Sequence, residues 1–208
     1  TTVLAMAADQ GYALYSLSFA YGQRHRFELQ AAEKVAAAMG VQRHMVSRVD
    51  LKPIGGSALT DAIAVPKARS ESRMSAEIPV TYVPARNTIF LSLALGWAES
   101  LGCHDIFVGV NALDYSGYPD CREGTIEALQ HALRLGMEFD VTIHTPLMHL
   151  SKKATVELAR DLGALPAMAY THTCYNGEQP PCGKCPACEL RARGFAEAGI
   201  EDPLLAAS

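Results

Sequence analysis

The sequence predicts an α/β protein with a three-layer arrangement, a parallel sheet between two sets of helices. Three observations carry this expectation. Short apolar runs alternate with helical patterns along the chain, the order that puts helices on both faces of parallel strands. With 208 residues, 49% hydrophobic and 19% charged, the chain is long enough for one full core plus a small appendage and too apolar for disorder. No apolar run reaches the roughly 18 residues of a membrane span; the longest, Ile89 to Ala98, is broken by Ser92 and Gly96.

Taken in order, Thr1 to Gln10 reads as a helix that Gly11 ends, and Tyr12 to Phe19 as a buried aromatic and apolar strand. Phe27 to Met39 is a helix with Leu29, Ala32, Val35, Ala36 and Met39 on one face and Gly40 at its stop. Val41 to Val49 is a shorter strand. From Lys52 to Glu77 periodicity fades among Pro53, Gly55, Gly56 and Pro66, as in a long surface loop, and loops of this length commonly act as lids. Arg86 to Gly102 is a strong helix, Asp105 to Val110 a strand, Asn111 to Glu123 a loop, Thr125 to Gly136 a helix and Val141 to Thr145 a strand. Ser151 is a plausible N-cap for a helix reaching Gly163, and a last helix runs from about Glu189 to Ala198. In such a fold ligands gather beyond the carboxyl ends of the strands, so the loops after Phe19, Val110 and Thr145 are the expected site.

Charge and cysteines narrow the function. A net charge of -4 supplies no broad basic field, which argues against non-specific nucleic-acid binding. The crowding of four cysteines into one segment points to metal in a reducing compartment rather than disulfides, and a cytoplasmic protein is expected. Of six cysteines, Cys174, Cys182, Cys185 and Cys188 crowd into one segment. Two-residue spacers let thiolates face one ion, Gly183 and Pro186 supply turns, and Lys184 adds positive charge. A set of four cysteines leaves no open coordination position, so the expected ion is a structural Zn2+. His172 is a weaker candidate ligand. Cys103 reads as a small packed residue, and Cys121 as packing or substrate contact rather than a nucleophile.

Four stretches then carry a resemblance: Ser18 to His25 (SFAYGQRH), Thr81 to Thr88 (TYVPARNT), Gly109 to Arg122 (GVNALDYSGYPDCR) and the cysteine cluster. In this order, across nearly the whole chain, they resemble the 7-cyano-7-deazaguanine synthases of queuosine biosynthesis. The resemblance implies an adenine nucleotide alpha hydrolase-like fold of the PP-loop ATP pyrophosphatase type. It divides the chain into a nucleotide-binding domain over 1–170 and a zinc-binding segment over 171–208. The family's Ser-Gly-Gly-x-Asp-Ser loop comes directly before a Thr-Thr pair, so that loop and its strand are expected to precede Thr1 in the natural chain. Ala20, where the family usually carries Asp, is a second departure.

The resemblance also implies roles. Thr1, Thr2, Val3 and Leu4 form a helix start beside the ATP phosphates. Tyr21, Gly22, Gln23 and Asn87 contact ATP, with Gly22 allowing a close backbone approach. Arg24, His25 and Arg26 attract anions. Arg86 and Lys152, each opening a helix, grip phosphate or carboxylate as the catalytic pair. Asp114, Tyr115, Tyr118 and Asp120 bind the deazaguanine, the carboxylates accepting from its donor edge and the rings stacking on it, with Mg2+ binding as the other reading of Asp114 or Asp120. The implied substrates are 7-carboxy-7-deazaguanine, ammonia and ATP with Mg2+, the implied assembly a homodimer, with no direct nucleic-acid or membrane partner. The competing readings are another PP-loop enzyme, such as a tRNA-modifying thiolase or an amide-forming ligase, and a non-enzymatic zinc module that binds nucleic acid. A thiolase requires a reactive cysteine, and only Cys121 is available for that.

Overall fold

The computed structural model describes residues 1–23, 27–61, 63, 78–112, 118–137 and 139–206. Asp114, Tyr115, the Arg24–His25–Arg26 cluster and most of the Lys52 to Glu77 loop lie outside the described residues. Helices and strands alternate as expected: α1 (Thr2–Asp9), β1 (Tyr15–Ala20), α2 (Phe27–Ala38), β2 (Arg43–Arg48), α3 (Arg86–Leu101), β3 (Asp105–Phe107), α4 (Glu123–Gly136), β4 (Thr142–His144) and α5 (Lys152–Asp161). The short α6 (Leu165–Met168), α7 (Pro186–Ala198) and the short α8 (Pro203–Ala206) follow.

Every observed strand pair is parallel. β1 pairs with β2 from Tyr15↔Arg43 to Ala20↔Arg48, and β3 with β4 from Asp105↔Thr142 to Phe107↔His144. The described strands form two two-stranded sheets rather than the continuous sheet expected. Each strand is therefore paired on one edge only among the described residues. That accounts for β1, which is half-buried with Tyr15 exposed, where a fully buried strand was expected. β3 is also shorter than expected. Val108 still donates to the His144 carbonyl at 2.9 Å and Ala112 to the Met148 carbonyl at 2.9 Å, but the regular ladder ends at Phe107.

Packing follows the side-chain pattern. Phe19 of β1 stacks on Phe90 of α3 with ring centroids 3.9 Å apart and planes 8° from parallel. Leu91 and Leu95 of α3, Ile126 of α4, and Val141, Ile143 and Met148 around β4 make one core cluster. A second cluster joins Ala5 of α1, Val156 and Ala159 of α5, and Phe195 of α7, so the helix that follows the cysteines shares a core with the body. Arg191 of α7 forks onto Asp202, with Nε to Oδ2 at 2.6 Å and a second nitrogen to Oδ1 at 2.7 Å, and also donates to Thr171 Oγ1 at 2.7 Å. Both members of this ion pair are largely buried, and a bidentate geometry of this kind resists solvent screening. Through its bond to Thr171, Arg191 ties together the chain on either side of the cysteine segment.

Two helix starts differ instructively from the pattern-based bounds. Ser151 caps α5 as expected, its Oγ accepting from the Ala154 N–H at 3.1 Å. α7, expected near Glu189, begins at Pro186, because proline at the first helical position is preset for the helix and lacks a donor to satisfy. Pro186 therefore opens a helix instead of making a turn, and Cys188 sits in its first turn.

Candidate active site and metal centre

The cysteine segment closes on itself. The Sγ atoms of Cys174, Cys182, Cys185 and Cys188 all lie within 4.8 Å of one another, with Cys185 and Cys188 at 3.4 Å and Cys182 and Cys188 at 4.0 Å. These separations are too long for disulfides. They match the edge of a tetrahedron of sulfurs about 2.3 Å from one ion, which is about 3.8 Å. Backbone N–H groups also aim at sulfur: Tyr175 at Cys185 (3.4 Å), Cys182 at Cys174 (3.5 Å) and Lys184 at Cys182 (3.5 Å). Burial pushes the Cys182 thiol up, but the N–H groups of Lys184 and Cys185 and the neighbouring thiols outweigh it and bring it down to about 7. Burial raises the Cys185 and Cys188 thiols. The donor set fits a four-coordinate metal ion. His172 packs beside the Phe27 ring instead, with ring centroids 5.9 Å apart, and the four cysteines make the cluster without it.

A second constellation forms where α3 begins. Ala85, at its cap position, has φ 56° and ψ 15°, a left-handed conformation that costs an alanine roughly 1 kcal/mol. Its N–H donates to the Tyr82 hydroxyl at 3.0 Å, which helps to hold it there. The strain aims Arg86 across the Tyr21 ring, with the guanidinium carbon 5.8 Å from the ring centroid. Burial opposes the Arg86 charge, but Tyr21, Tyr118 and Asp120 together outweigh it, and the guanidinium is held more firmly protonated than usual. Tyr21 is itself buried, and burial followed by the charge of Glu28 raises its hydroxyl pKa.

The loop after β3 supplies the other side. Asp120 is 4% exposed, and its two oxygens accept from Asn87, Oδ2 from the backbone N–H at 2.9 Å and Oδ1 from Nδ2 at 3.2 Å. Asn87 Nδ2 also meets Cys121 Sγ at 3.0 Å. Tyr118 shares a short hydrogen bond with Thr81 (2.6 Å) and lies beside the Tyr82 ring. Burial, then Asp120, pushes the Cys121 thiol up to about 11, so it stays protonated and unreactive near neutrality.

The structure thus brings Tyr21, Arg86, Asn87, Tyr118 and Asp120 into one cluster. Gln23 braces its edge: its Oε1 accepts from the Tyr21 N–H at 2.8 Å and its Nε2 donates to the Phe19 carbonyl at 3.1 Å. Gly22 has φ +88°, and a Cβ there would lie 2.7 Å from Lys52 Cγ, so its backbone approaches a loop of the protein itself.

Val3 and Leu147 meet around Gly109, away from the Arg86 cluster, and Lys152 at the start of α5 packs against Gly194 of α7. Asn111 Nδ2 donates to the Leu147 and Leu150 carbonyls, both at 2.6 Å. This clamp fixes the loop that leads into α5 and Lys152. Thr1 stands at the cap of α1 without a side-chain bond, Thr2 is buried, and Leu4 is half-buried.

Sequence reasoning assigned no role to Glu28, Thr81 or Asn111. Glu28, in the first turn of α2, is exposed on its outer side, and partial desolvation raises its carboxyl pKa against the pull of Arg86. A glutamate early in a helix reads as an ordinary acidic first turn, which hid it. Asn111 lay within a quoted motif, but its partners are 36 and 39 residues away.

Fold and site together describe a class: parallel α/β proteins with a four-thiol metal knot and, beyond their strand ends, a charged cluster walled by tyrosines. Comparison with known proteins narrows it. The model of the queuosine biosynthesis protein QueC family matches residues 1–199, and the chain belongs to that family. The 7-cyano-7-deazaguanine synthase of Stutzerimonas stutzeri is 55% identical over 210 residues, covering 97% of this chain and 91% of the relative. Those of Ectopseudomonas mendocina (54%, 97% and 90%) and Solidesulfovibrio magneticus (53%, 98% and 89%) are similar to the same degree. The relatives are synthases by name, and the family places this chain among enzymes. Among the described residues no helix is long and apolar enough to cross a membrane.

Proposed function

We propose that the chain converts 7-carboxy-7-deazaguanine and ammonia to 7-cyano-7-deazaguanine at the expense of ATP, as a step in queuosine biosynthesis. The observation that carries this reading is the charged Arg86, held at a helix start among Tyr21, Tyr118 and Asn87, in a chain more than half identical to synthases of that name.

A carboxylate resists attack because its leaving group would be oxide. Its oxygen attacks the α-phosphorus of ATP, pyrophosphate leaves, and an acyl adenylate forms. Ammonia adds to the carbonyl, AMP departs, and loss of a proton leaves the amide. The amide oxygen then attacks a second ATP. Loss of AMP and of the remaining N–H protons gives the nitrile. Both rounds activate an oxygen at one place, so a single site serves them. The protein supplies position and positive charge.

Arg86 and Lys152 grip the phosphates, with Mg2+ accompanying ATP. Thr1, Thr2, Val3 and Leu4 line the helix start beside them, and Tyr21, Gly22, Gln23 and Asn87 shape the nucleotide side. Tyr118, with Asp114 and Tyr115, contacts the deazaguanine. The four-cysteine centre holds Zn2+, which is structural because no coordination position is open. Residues 1–170 form the catalytic body and 171–208 its metal-bearing clasp. The cytoplasmic homodimer implied by the family resemblance belongs to the same proposal. The rival thiolase reading is disfavoured by the Cys121 thiol, pushed up to about 11.

The test is incubation of the zinc-loaded enzyme with ATP, ammonium and the carboxy-deazaguanine, with products followed by mass spectrometry. The expected product is the nitrile together with AMP. ADP as the nucleotide product, or a thiolated tRNA in its place, would overturn the reading.

A further inference from the structure

α3 begins without a cap of its own. Ala85 has no side-chain acceptor to offer, while the first-turn N–H groups of any helix need partners. Asp120, 33 residues further along the chain, supplies one from outside: Oδ2 takes the Asn87 backbone N–H at 2.9 Å. Its other oxygen takes Asn87 Nδ2 at 3.2 Å, and Asn87 Oδ1 in turn accepts from Arg86 Nε at 3.3 Å. The contacts form one line, from a buried carboxylate through a carboxamide to a guanidinium. Asn87 Nδ2 also reaches Cys121 Sγ, so the backbone N–H, Oδ1 and Nδ2 of Asn87 are each engaged within the protein.

The geometry points to Asp120 as a positioning residue. It acts through Asn87, which fixes the plane of the Arg86 guanidinium. With both oxygens occupied and 4% of its surface exposed, it has little left to offer a substrate directly. A guanidinium binds phosphate through two parallel N–H bonds, so its plane matters as much as its place. Nε faces Asn87 and the Tyr21 hydroxyl takes a further bond from the guanidinium, which leaves its remaining N–H groups to face an anion. This inference rests on the proposed role of Arg86 in gripping phosphate.

The experiment is a double-mutant cycle on acid-dependent pyrophosphate release, with an NMR readout that needs no catalysis. D120N keeps shape and volume but turns one acceptor into a donor facing Asn87. The expected result is a kcat about 10- to 100-fold lower, with a much smaller change in the ATP KM. R86A alone is expected to lose more, and D120N/R86A no more than R86A alone within about twofold, because both changes break one chain of contacts. A purely structural Asp120 would instead make the two losses multiply. N87A, which removes the middle link but leaves the Asp120 bond to the backbone N–H, is expected to repeat the D120N loss if D120N itself folds poorly. The Arg86 Nε–H signal is expected in wild-type 15N spectra at neutral pH, and shifted or broadened by exchange in D120N and N87A. Multiplying losses, a wild-type kcat in either single variant, or an unmoved Nε–H signal would overturn the inference. A wild-type enzyme that releases no pyrophosphate would remove the proposed function, and the NMR arm would still decide whether Asp120 orients Arg86.

Discussion

In the metal knot all four ligands fall between residues 174 and 188, and each turn that brings them together is encoded beside them. The cluster around Arg86 draws on Tyr21 after β1, Arg86 and Asn87 at the start of α3, and Tyr118 to Cys121 far down the next loop. Its decisive bonds span 33 residues. The first centre is local, four sulfurs within 4.8 Å of one another that could hold one metal ion. The second balances itself, with a carboxylate, a carboxamide and a guanidinium answering one another before any ligand arrives. A locally encoded centre depends on its ion for stability, whereas a remotely assembled one depends on the whole fold for its geometry.

Four outcomes sharpen this contrast. The largest is expected at the knot. Native mass spectrometry should find one zinc per chain, and C185S or prolonged chelation should cost several kcal/mol and lower the melting temperature by about 10 °C or more. A metal-free chain with unchanged melting would break the contrast. At the Arg86 cluster the loss should fall on rate instead: R86A is expected to lower turnover at least 10²-fold while melting within a few degrees of wild type.

Next comes the α5–α7 contact. A Cβ at Gly194 would lie 2.8 Å from Lys152 Cβ, so G194A should cost about 1–3 kcal/mol and displace Lys152, with turnover falling alongside stability. The smallest effect belongs to Cys121. Its folded-state thiol is raised to about 11 from 9.0, so folding favours the protonated form. That stability is present in full below pH 9 and is lost as pH rises through 11, on the order of 1–2 kcal/mol for a partly buried group. Denaturant titrations from pH 8 to 11 should show this fall in the wild type and a flatter slope in C121A.

The same contrast explains what the sequence disclosed. Element order, the Ser151 cap and the gathering of the four cysteines all depend on near neighbours, and each is found where the pattern put it. The start of α7 was missed by three residues because Pro186 among cysteines reads equally as a turn. α6 and α8 were missed because four residues carry no helical period. Asp120 reads as a ligand for substrate, and nothing near it in sequence reveals that its oxygens also accept from Asn87. Asn111 looked like part of a motif because the carbonyls it clamps lie beyond a helix and a strand. The sequence showed which residues to examine around the strand ends; the fold shows which of them bind one another.

The central claim is that one site adenylates an oxygen of the same substrate carbon twice. It is tested most directly by counting AMP and pyrophosphate against nitrile in a rapid-quench time course with saturating ammonium. Two of each per nitrile, with the amide rising and falling between the two rounds, is the predicted result. One ATP cleaved per nitrile, or nitrile formed with no amide able to replace the acid as substrate, would contradict it.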